Sequence, residues 1–470
     1  MTSNYIFKAA ILALSATLLA SCMGGGMTFD TDPSRDAQIH FFSMESRADT
    51  DNVLRDTRFT IDQIEVDGRG RIFNREFLPY RFSVDSVAIT VTGGTSAIFF
   101  GALSEVRVHL VEPDTSFTIV RTDSIPLSRL RRIETQAADG INRRMYDFQL
   151  NIFQQDPFVI SWVNTHNNYI ASPIEAQNTI VLSNSFFTYY VSGGTIGAMK
   201  VAVQDMETAV NNDVSINWIA VPLLGLPTTA QLSSLLSVGT AAFILDDANN
   251  VYQTTDGANW AQVANDVVAI YGVLPSSDGG DILLAVDNSG VLTFAKTTDF
   301  TSIRLFDPLP TNLVGANIMP VTDFSAVEID NPAVYAAKFI ILSGGRTAIT
   351  GGLENNDIWL IEYANGRVRV LRQAMGLESQ RGSRLFFYNN RLYMMIMTPL
   401  GENRLMYSAN YGLSWSVAGE GQSFPDDFTH RTHASVVTDD NFIWIFGGQT
   451  PFGQFADAWR GRLNLLDEVL

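Results

Sequence analysis

Alternation of apolar and polar positions divides the first part of the chain into strands. Ser86-Val87-Ala88-Ile89-Thr90-Val91-Thr92 and Val106-Arg107-Val108-His109-Leu110 place an apolar side chain at every second position. That is the period of a pleated strand with one face in water. Phe117-Thr118-Ile119-Val120 and Tyr146 to Phe153 continue the pattern, and Arg58–Asp62 and Arg71–Asn74 flank the turn Asp67-Gly68-Arg69-Gly70. Residues 30–165 are therefore predicted to form antiparallel sheets packed as an immunoglobulin-like β-sandwich.

From residue 166 onward the pattern becomes a series of units. Landmarks run from Thr179 to Val203, Trp218 to Trp260, Ile282 to Phe306, Phe339 to Trp359, Leu385 to Trp415, and Arg431 to Trp459. The roughly 300 residues available, at roughly 40–50 per unit, allow six or seven repeats, and the landmarks favour six. The last unit is the clearest. Arg431-Thr432-His433-Ala434-Ser435 leads into Phe442-Ile443-Trp444-Ile445-Phe446-Gly447-Gly448, and Ala456-Asp457-Ala458-Trp459 follows. The glycine pair is predicted to end a buried strand, with the Trp anchoring the next one.

The spacing of Gly344-Gly345 before Asp357-Ile358-Trp359, and of Gly447-Gly448 before Asp457-Ala458-Trp459, resembles the kelch repeat of galactose-oxidase-like β-propellers. Thr254-Thr255-Asp256-Gly257-Ala258-Asn259-Trp260 is similar to the Asp-box of sialidase-type propellers. Ser408 to Trp415 resembles the same motif with Asn410 in the Asp position, and Thr298-Asp299-Phe300 looks like a decayed copy. The resemblance implies an all-β chain: a sandwich-like domain, then a propeller over 166–465, six blades favoured and seven allowed. It gives Asp256, Gly257, Trp260, Gly344, Gly345, Trp359, Trp415, His433, Gly447, Gly448 and Trp459 structural roles, in turns and in the gaps between sheets. Phe59-Thr60-Ile61-Asp62, Ile72-Phe73-Asn74 and Leu78-Pro79-Tyr80, with Tyr146 to Trp162, resemble the N-terminal part of an uncharacterised Bacteroidetes lipoprotein family that carries a C-terminal propeller.

The first 22 residues read as a targeting signal. Lys8 precedes the apolar run Ala9 to Leu19, and Leu19-Ala20-Ser21-Cys22 matches a bacterial lipobox whose Cys is lipidated. The run is too short to span a bilayer as a helix, and no later run reaches that length. Multiple acyl chains on Cys22 would anchor the protein stably, with residues 23–29 as a flexible tether. Met23 stands where inner-membrane retention signals carry Asp, which points to the outer membrane, its periplasmic or surface face undetermined.

Charge and cysteine count narrow the chemistry. A formal charge of −18 argues against nucleic acid, which needs a basic stripe. Cys22 is the sole cysteine, so no disulfide staples the fold. The Cys–Tyr crosslink of galactose oxidase has no residue to form it. The Arg-Ile-Pro signature of sialidases is missing from the propeller; Ser302-Ile303-Arg304-Leu305 is not one. Paired carboxylates for glycoside chemistry exist at Asp246-Asp247, Asp426-Asp427 and Asp439-Asp440, all in turn-like settings where Asp serves local hydrogen bonds. His430 and His433 would face opposite ways on a strand, which makes them poor co-ligands, and Asp278-Gly279-Gly280-Asp281 lacks the ligand series of a calcium loop. No phosphate-cradling glycine loop is found. Arg129, Arg131, Arg132, Arg143 and Arg144 form one basic concentration. It reads either as a solvated face paired with Glu134, Asp139 and Asp147 or as a site for carboxylates or sulfated glycans.

The sequence thus predicts no metal, no cofactor and no catalytic residue. It predicts a lipid-anchored binding or scaffold module for a glycan or envelope protein, with Tyr271, Tyr411 and Phe452 as loop aromatics for a sugar. The alternative is a polysaccharide hydrolase or lyase with its site on the propeller axis.

Overall fold

The computed structural model describes residues 33–466, apart from 67, 94–102, 121–123, 275–281, 288–291, 297–301, 304–318, 331–337, 349–351, 365–366, 375–380 and 399. Cys22 and its flanks, Asp278 to Asp281 and Thr298 to Phe300 lie outside the described residues. The chain forms two compact units that divide between Asp156 and Pro157.

The first unit is built from two sheets. Strands β1 (Ile39–Glu45), β4 (Ser86–Gly93) and β7 (Ile125–Pro126) make a three-stranded sheet in the order β1-β4-β7. The larger sheet contains β2 (Phe59–Val66), β3 (Arg69–Asn74), β5 (Glu105–Leu110), β6 (Thr115–Thr118), β8 (Leu130–Gln136) and β9 (Arg143–Gln149), in the order β2-β3-β9-β8-β5-β6. Ile39, Phe42 and Met44 of β1 and Val87 and Ile89 of β4 share one core with Ile72, Val108, Ile133 and Tyr146 of the larger sheet. This core explains the alternation in the sequence, because each strand turns its apolar positions inward. Tyr146 ties the layers together: its hydroxyl accepts from Ile39 N at 3.0 Å and donates to Gln63 Oε1 at 2.8 Å. The expectation of purely antiparallel pairing fails where β3 and β9 run parallel and where Leu78 and Ile152 bridge in parallel.

The second unit is a β-propeller. Among the described residues it contains six four-stranded sheets. The first is β11 (Ala176–Leu182), β12 (Ser185–Ser192), β13 (Thr195–Ala202) and β14 (Ile219–Val221). The second is β15 (Ala230–Val238), β16 (Ala241–Asp246), β17 (Val251–Thr254) and β18 (Ala261–Ala264). The third is β19 (Val267–Leu274), β20 (Ile282–Asp287), β21 (Leu292–Lys296) and β22 (Ser302–Ile303). The fourth is β23 (Thr322–Asp330), β24 (Lys338–Arg346), β25 (Asp357–Ala364) and β26 (Arg367–Ala374). The fifth is β27 (Arg384–Tyr388), β28 (Arg391–Met397), β29 (Asn403–Ser408) and β30 (Ser416–Val417).

The sixth sheet joins the two ends of this unit. Its inner strands are β31 (Ser435–Thr438), β32 (Ile443–Thr450) and β33 (Gly453–Leu463), and its outer strand is β10 (Ile160–His166), paired from Ile160–Leu463 to His166–Ala458. The sequence reading placed 160–165 in the first domain. Strand pairing puts them in the propeller, because β33 would otherwise present an unpaired edge.

Second strands lie between neighbouring sheets and are buried on both faces. β16 is buried at every position, and β24 and β32 over long continuous runs. That is why these segments read as unbroken apolar stretches rather than alternating ones. Gly447 and Gly448 do not end β32; they form a bulge inside it, with the strand continuing to Thr450. Gly447 has φ 51°, and a Cβ there would lie 1.2 Å from Gln177 Nε2 of the first sheet. Gly447→Ala is expected to cost about 1–2 kcal/mol for the left-handed backbone and a further ~1–3 kcal/mol for the overlap. Against a Gln177→Ala background the second share should vanish and the first persist, as read by urea unfolding.

Candidate functional site

The residues singled out by the repeats lie within and between the sheets. In the sixth sheet Arg431 is buried and pairs with Asp457, while its Nη1 donates to Gly447 O at 3.1 Å. Its guanidinium sits between the rings of Phe428 and Phe455, 4.5 and 4.2 Å from their centroids. Asp457 also accepts from Trp459 Nε1 at 2.9 Å. In the fourth sheet Asn355 takes that acceptor role, receiving Trp359 Nε1 at 3.0 Å, and its own Nδ2 holds Gly344 O at 2.8 Å.

Two turn motifs serve the outer hairpins. Asp256 Oδ1 accepts from Ala258 N and Asn259 N at 2.9 and 2.8 Å, and these bonds hold its carboxyl well below the usual range. Gly257 N donates to Thr254 Oγ1 at 3.0 Å, and a Cβ at Gly257 would strike the Phe187 ring. The fifth sheet repeats this plan. Asn410 Oδ1 accepts from Ser414 N at 2.9 Å, Gly412 N donates to Ser408 Oγ at 2.9 Å, and Trp415 Nε1 donates to Gly412 O at 3.0 Å. Trp260 is buried beside Tyr189, whose hydroxyl donates to Gly257 O at 2.7 Å.

Other residues flagged from the sequence are also committed to structure. Asp246 accepts from Ala248 N and Asn250 N, and Asp439 accepts from Asn441 N, Phe442 N and Trp444 Nε1. Tyr271 is not a loop aromatic. It is buried in β19, donates its hydroxyl to Pro320 O at 2.8 Å, and burial pushes its ionisation far up. Tyr411 packs on Phe339, while Phe452 is 99% exposed in the β32–β33 turn. His430 Nδ1 accepts from Asn403 N. Among the described residues no three of His, Cys, Asp and Glu gather where a metal could be held.

The propeller axis holds a cavity of 520 Å³ lined by the innermost strands of all six sheets. Every sheet contributes at least one apolar side chain, among them Ile180, Leu235, Ile270, Phe324, Leu385 and Val436. Its polar wall contains Asn178, Ser325, Ser435 and Arg384. These residues also stitch sheet to sheet. Ser435 Oγ accepts from Thr179 N at 2.9 Å, Asn178 Nδ2 donates to Leu232 O at 2.7 Å, and Ser325 Oγ accepts from Leu385 N at 2.8 Å. Arg384 donates from Nε to Ala434 O at 2.7 Å and from Nη1 to Ser383 O at 2.9 Å. Both partners are neutral carbonyls, and burial pushes the guanidinium down to about 10, with Asp323 opposing the shift. The sequence reading missed all four. They sit in the first half of their inner strands, and no motif marks them in the sequence.

Two family models match the chain. A domain of unknown function, the DUF6242 N-terminal domain, covers residues 34–150, and the DUF6242 beta propeller domain covers 156–467. The chain belongs to the DUF6242 family. A comparison with curated proteins finds no match for this DUF6242 chain. Among solved structures it is similar to a protein titled YjhT, at 9% identity and TM-score 0.41, over 62% of this chain and 95% of that one. A fungal alcohol oxidase of the AA5 family in complex with copper is 10% identical at TM-score 0.38, over 64% and 76%. A chain of the S. cerevisiae complex of Dbp5, Nup159 and Gle1 is 11% identical at TM-score 0.37, over 65% and 96%. With TM-scores below 0.5, these likenesses bear on neither ligand nor activity.

His433 gives the DUF6242 propeller a pH dependence. It adopts φ 56°, its ring Nδ1 lies 2.8 Å from Gln449 Nε2, and its backbone N donates to Gly382 O at 3.1 Å. Burial, reinforced by Arg384, pushes its pKa from 6.5 down to about 4. The unfolded chain therefore takes the proton first, so stability is intact above 6.5 and is lost as pH falls from 6.5 toward 4. His433→Asn, which tolerates the left-handed backbone, should flatten the thermal midpoint across that window while the native chain shows a decline.

Proposed function

We propose that this chain is a lipid-anchored, non-catalytic binding module whose ligand enters the propeller axis. The observation that carries the reading is the axial cavity, where a guanidinium bonded only to carbonyls stands among hydroxyls, an amide and apolar side chains. A desolvated guanidinium is well suited to a carboxylate or another oxyanion, which it can grip in a fork. The carboxylates on the wall are Glu207 and Asp439. Asp439 is occupied by its own turn and Trp444, and Glu207 acts electrostatically on Arg460. Glycoside hydrolysis asks for two carboxylates free to face one bond, so a binding role fits this wall better than turnover. An acidic glycan or an envelope protein segment bearing a carboxylate is the proposed partner.

The lipobox at Cys22 supports placing the module at the cell envelope, with the outer membrane favoured by Met23. Fractionation after palmitate labelling should find the native chain labelled and in the membrane pellet, and Cys22→Ala unlabelled and released. An array of acidic and neutral glycans should retain the purified chain on acidic members. Arg384→Gln is expected to weaken that binding by about tenfold or more, the worth of a charged hydrogen bond. Release of reducing ends from any bound polysaccharide would replace the binding reading with an enzymatic one.

A further inference from the structure

The arginine concentration seen in the sequence is divided by the fold. Arg129 Nε is spent on Val111 O at 2.9 Å, Arg143 Nη1 on Glu134 at 2.8 Å, and Arg144 on Gln63 O and the Tyr146 ring. Arg131 and Arg132 instead meet two arginines distant in sequence, Arg69 and Arg71 of β3.

Register accounts for the meeting. Arg71 stands opposite Asp147 in the parallel β3–β9 pair, and Asp147 stands opposite Arg132 in β8–β9. Directly paired residues share a face, so Arg71, Asp147 and Arg132 form one row on the outer face of the large sheet. Arg69 lies two residues before Arg71 on that face. Between β5 and β8 the register slips: His109 faces Arg132, and Leu110 faces Leu130. Arg131 is the extra residue of that bulge and is thereby turned toward the same hollow.

The two ends of this face differ in charge balance. At one end Glu105 and Glu134 neutralise Arg107, Arg143 and His109. At the other, Arg69, Arg71, Arg131 and Arg132 line a hollow of 700 Å³ with Asp147, Gln149 and Asn151. Asp147 pairs with Arg69 at 3.2 Å and Arg132 at 2.9 Å, and among the described residues Arg71 and Arg131 form no ion pair. Asp62 stands opposite Arg71 in the β2–β3 register, so this end carries four arginines against the two carboxylates of Asp147 and Asp62. A local cationic excess on a chain of net charge −18 is the reverse of its surroundings.

We propose that this hollow is a cradle for an extended acidic glycan carrying sulfate or carboxylate groups on successive units. Strand spacing sets Arg71 and Arg132, two strands apart, at about 10 Å, and Arg69 and Arg71 at about 7 Å along one strand. Such spacing suits a chain with repeated charges better than one small anion, and the exposed amide of Gln149, which donates to Asn151 Oδ1 at 2.8 Å, offers its oxygen to a sugar hydroxyl. Arg69 and Arg132 keep only 34% and 31% of their side-chain surface. They form the recessed floor of the hollow, and the exposed Arg71 and Arg131 stand beside them. The proposal uses no residue of the axial cavity.

The test titrates the full chain in detergent with a fluorescein-labelled heparin hexasaccharide, with uncharged chitohexaose as the control. The native chain should bind the sulfated probe and ignore the neutral one. Arg71→Gln/Arg131→Gln, altering side chains without ion pairs and so leaving the thermal midpoint in place, should weaken binding by about tenfold or more. Arg143→Gln, at the balanced end, should stay within about twofold of native, as expected for an exposed pair. No binding by the native chain would overturn the proposal. So would equal weakening by Arg143→Gln, loss through Arg384→Gln alone, or displacement of the probe by equimolar glycerophosphate, the last of which would assign the site to a lipid headgroup.

Discussion

The propeller depends on one pairing, between β10 at its start and β33 at its end. Six sheets around an axis form a ring only if the last is fixed to the first, and hydrogen bonds along a shared sheet do this without a disulfide. With Cys22 the sole cysteine, strand pairing and burial have no covalent substitute. Closure also removes the open edge that β33 would otherwise present. Ser161 and Thr165 of β10 add side-chain bonds to Asn464 Oδ1 and Ala458 O at 2.7 and 3.0 Å.

Closure at the rim is matched by a polar belt near the axis. Asn178, Ser325, Arg384 and Ser435 each bond to an adjacent sheet, and Glu328 joins them by accepting Val273 N at 2.6 Å. Apolar packing between sheets is non-directional, whereas these bonds fix how far each sheet rotates against the next. Asn178, Ser325, Arg384 and Ser435 also form part of the wall of the axial cavity. Architecture and cavity wall therefore share atoms, and the cation on that wall, Arg384, is held in place by the carbonyls of Ala434 and Ser383. The chemistry offered to a ligand follows from how the ring is held together.

Much of the fold was legible because its determinants are local. Alternation in β4 and β5 reports one buried face, and the unbroken apolar runs of β16, β24 and β32 report two. Glycines at positive φ and the Asp256 and Asn410 turns also declare themselves, since backbone sterics and short-range hydrogen bonds act within a few residues. Less legible were elements whose partner is distant. Nothing within residues 160–165 names their partner, and only pairing with 458–463 assigns them to the propeller. Tyr271 resembled an exposed aromatic until β19 was packed against the neighbouring sheet.

The candidate sites sharpen that division. The sequence by itself determined a β-rich chain with a sandwich-like first domain and a series of repeated units, and it denied the single cysteine a partner. It also showed arginines at 129–132 and 143–144, but as a cluster on paper. Tertiary structure split that cluster through the bulge at Arg131 and the parallel pairing of β3 with β9, and it drew in Arg69 and Arg71 from some sixty residues away. It likewise gathered Asn178, Ser325, Arg384 and Ser435 from four blades onto one axis. Periodicity records which face of a strand is buried. Which strands lie side by side is settled by long-range packing, and that is where both sites arise.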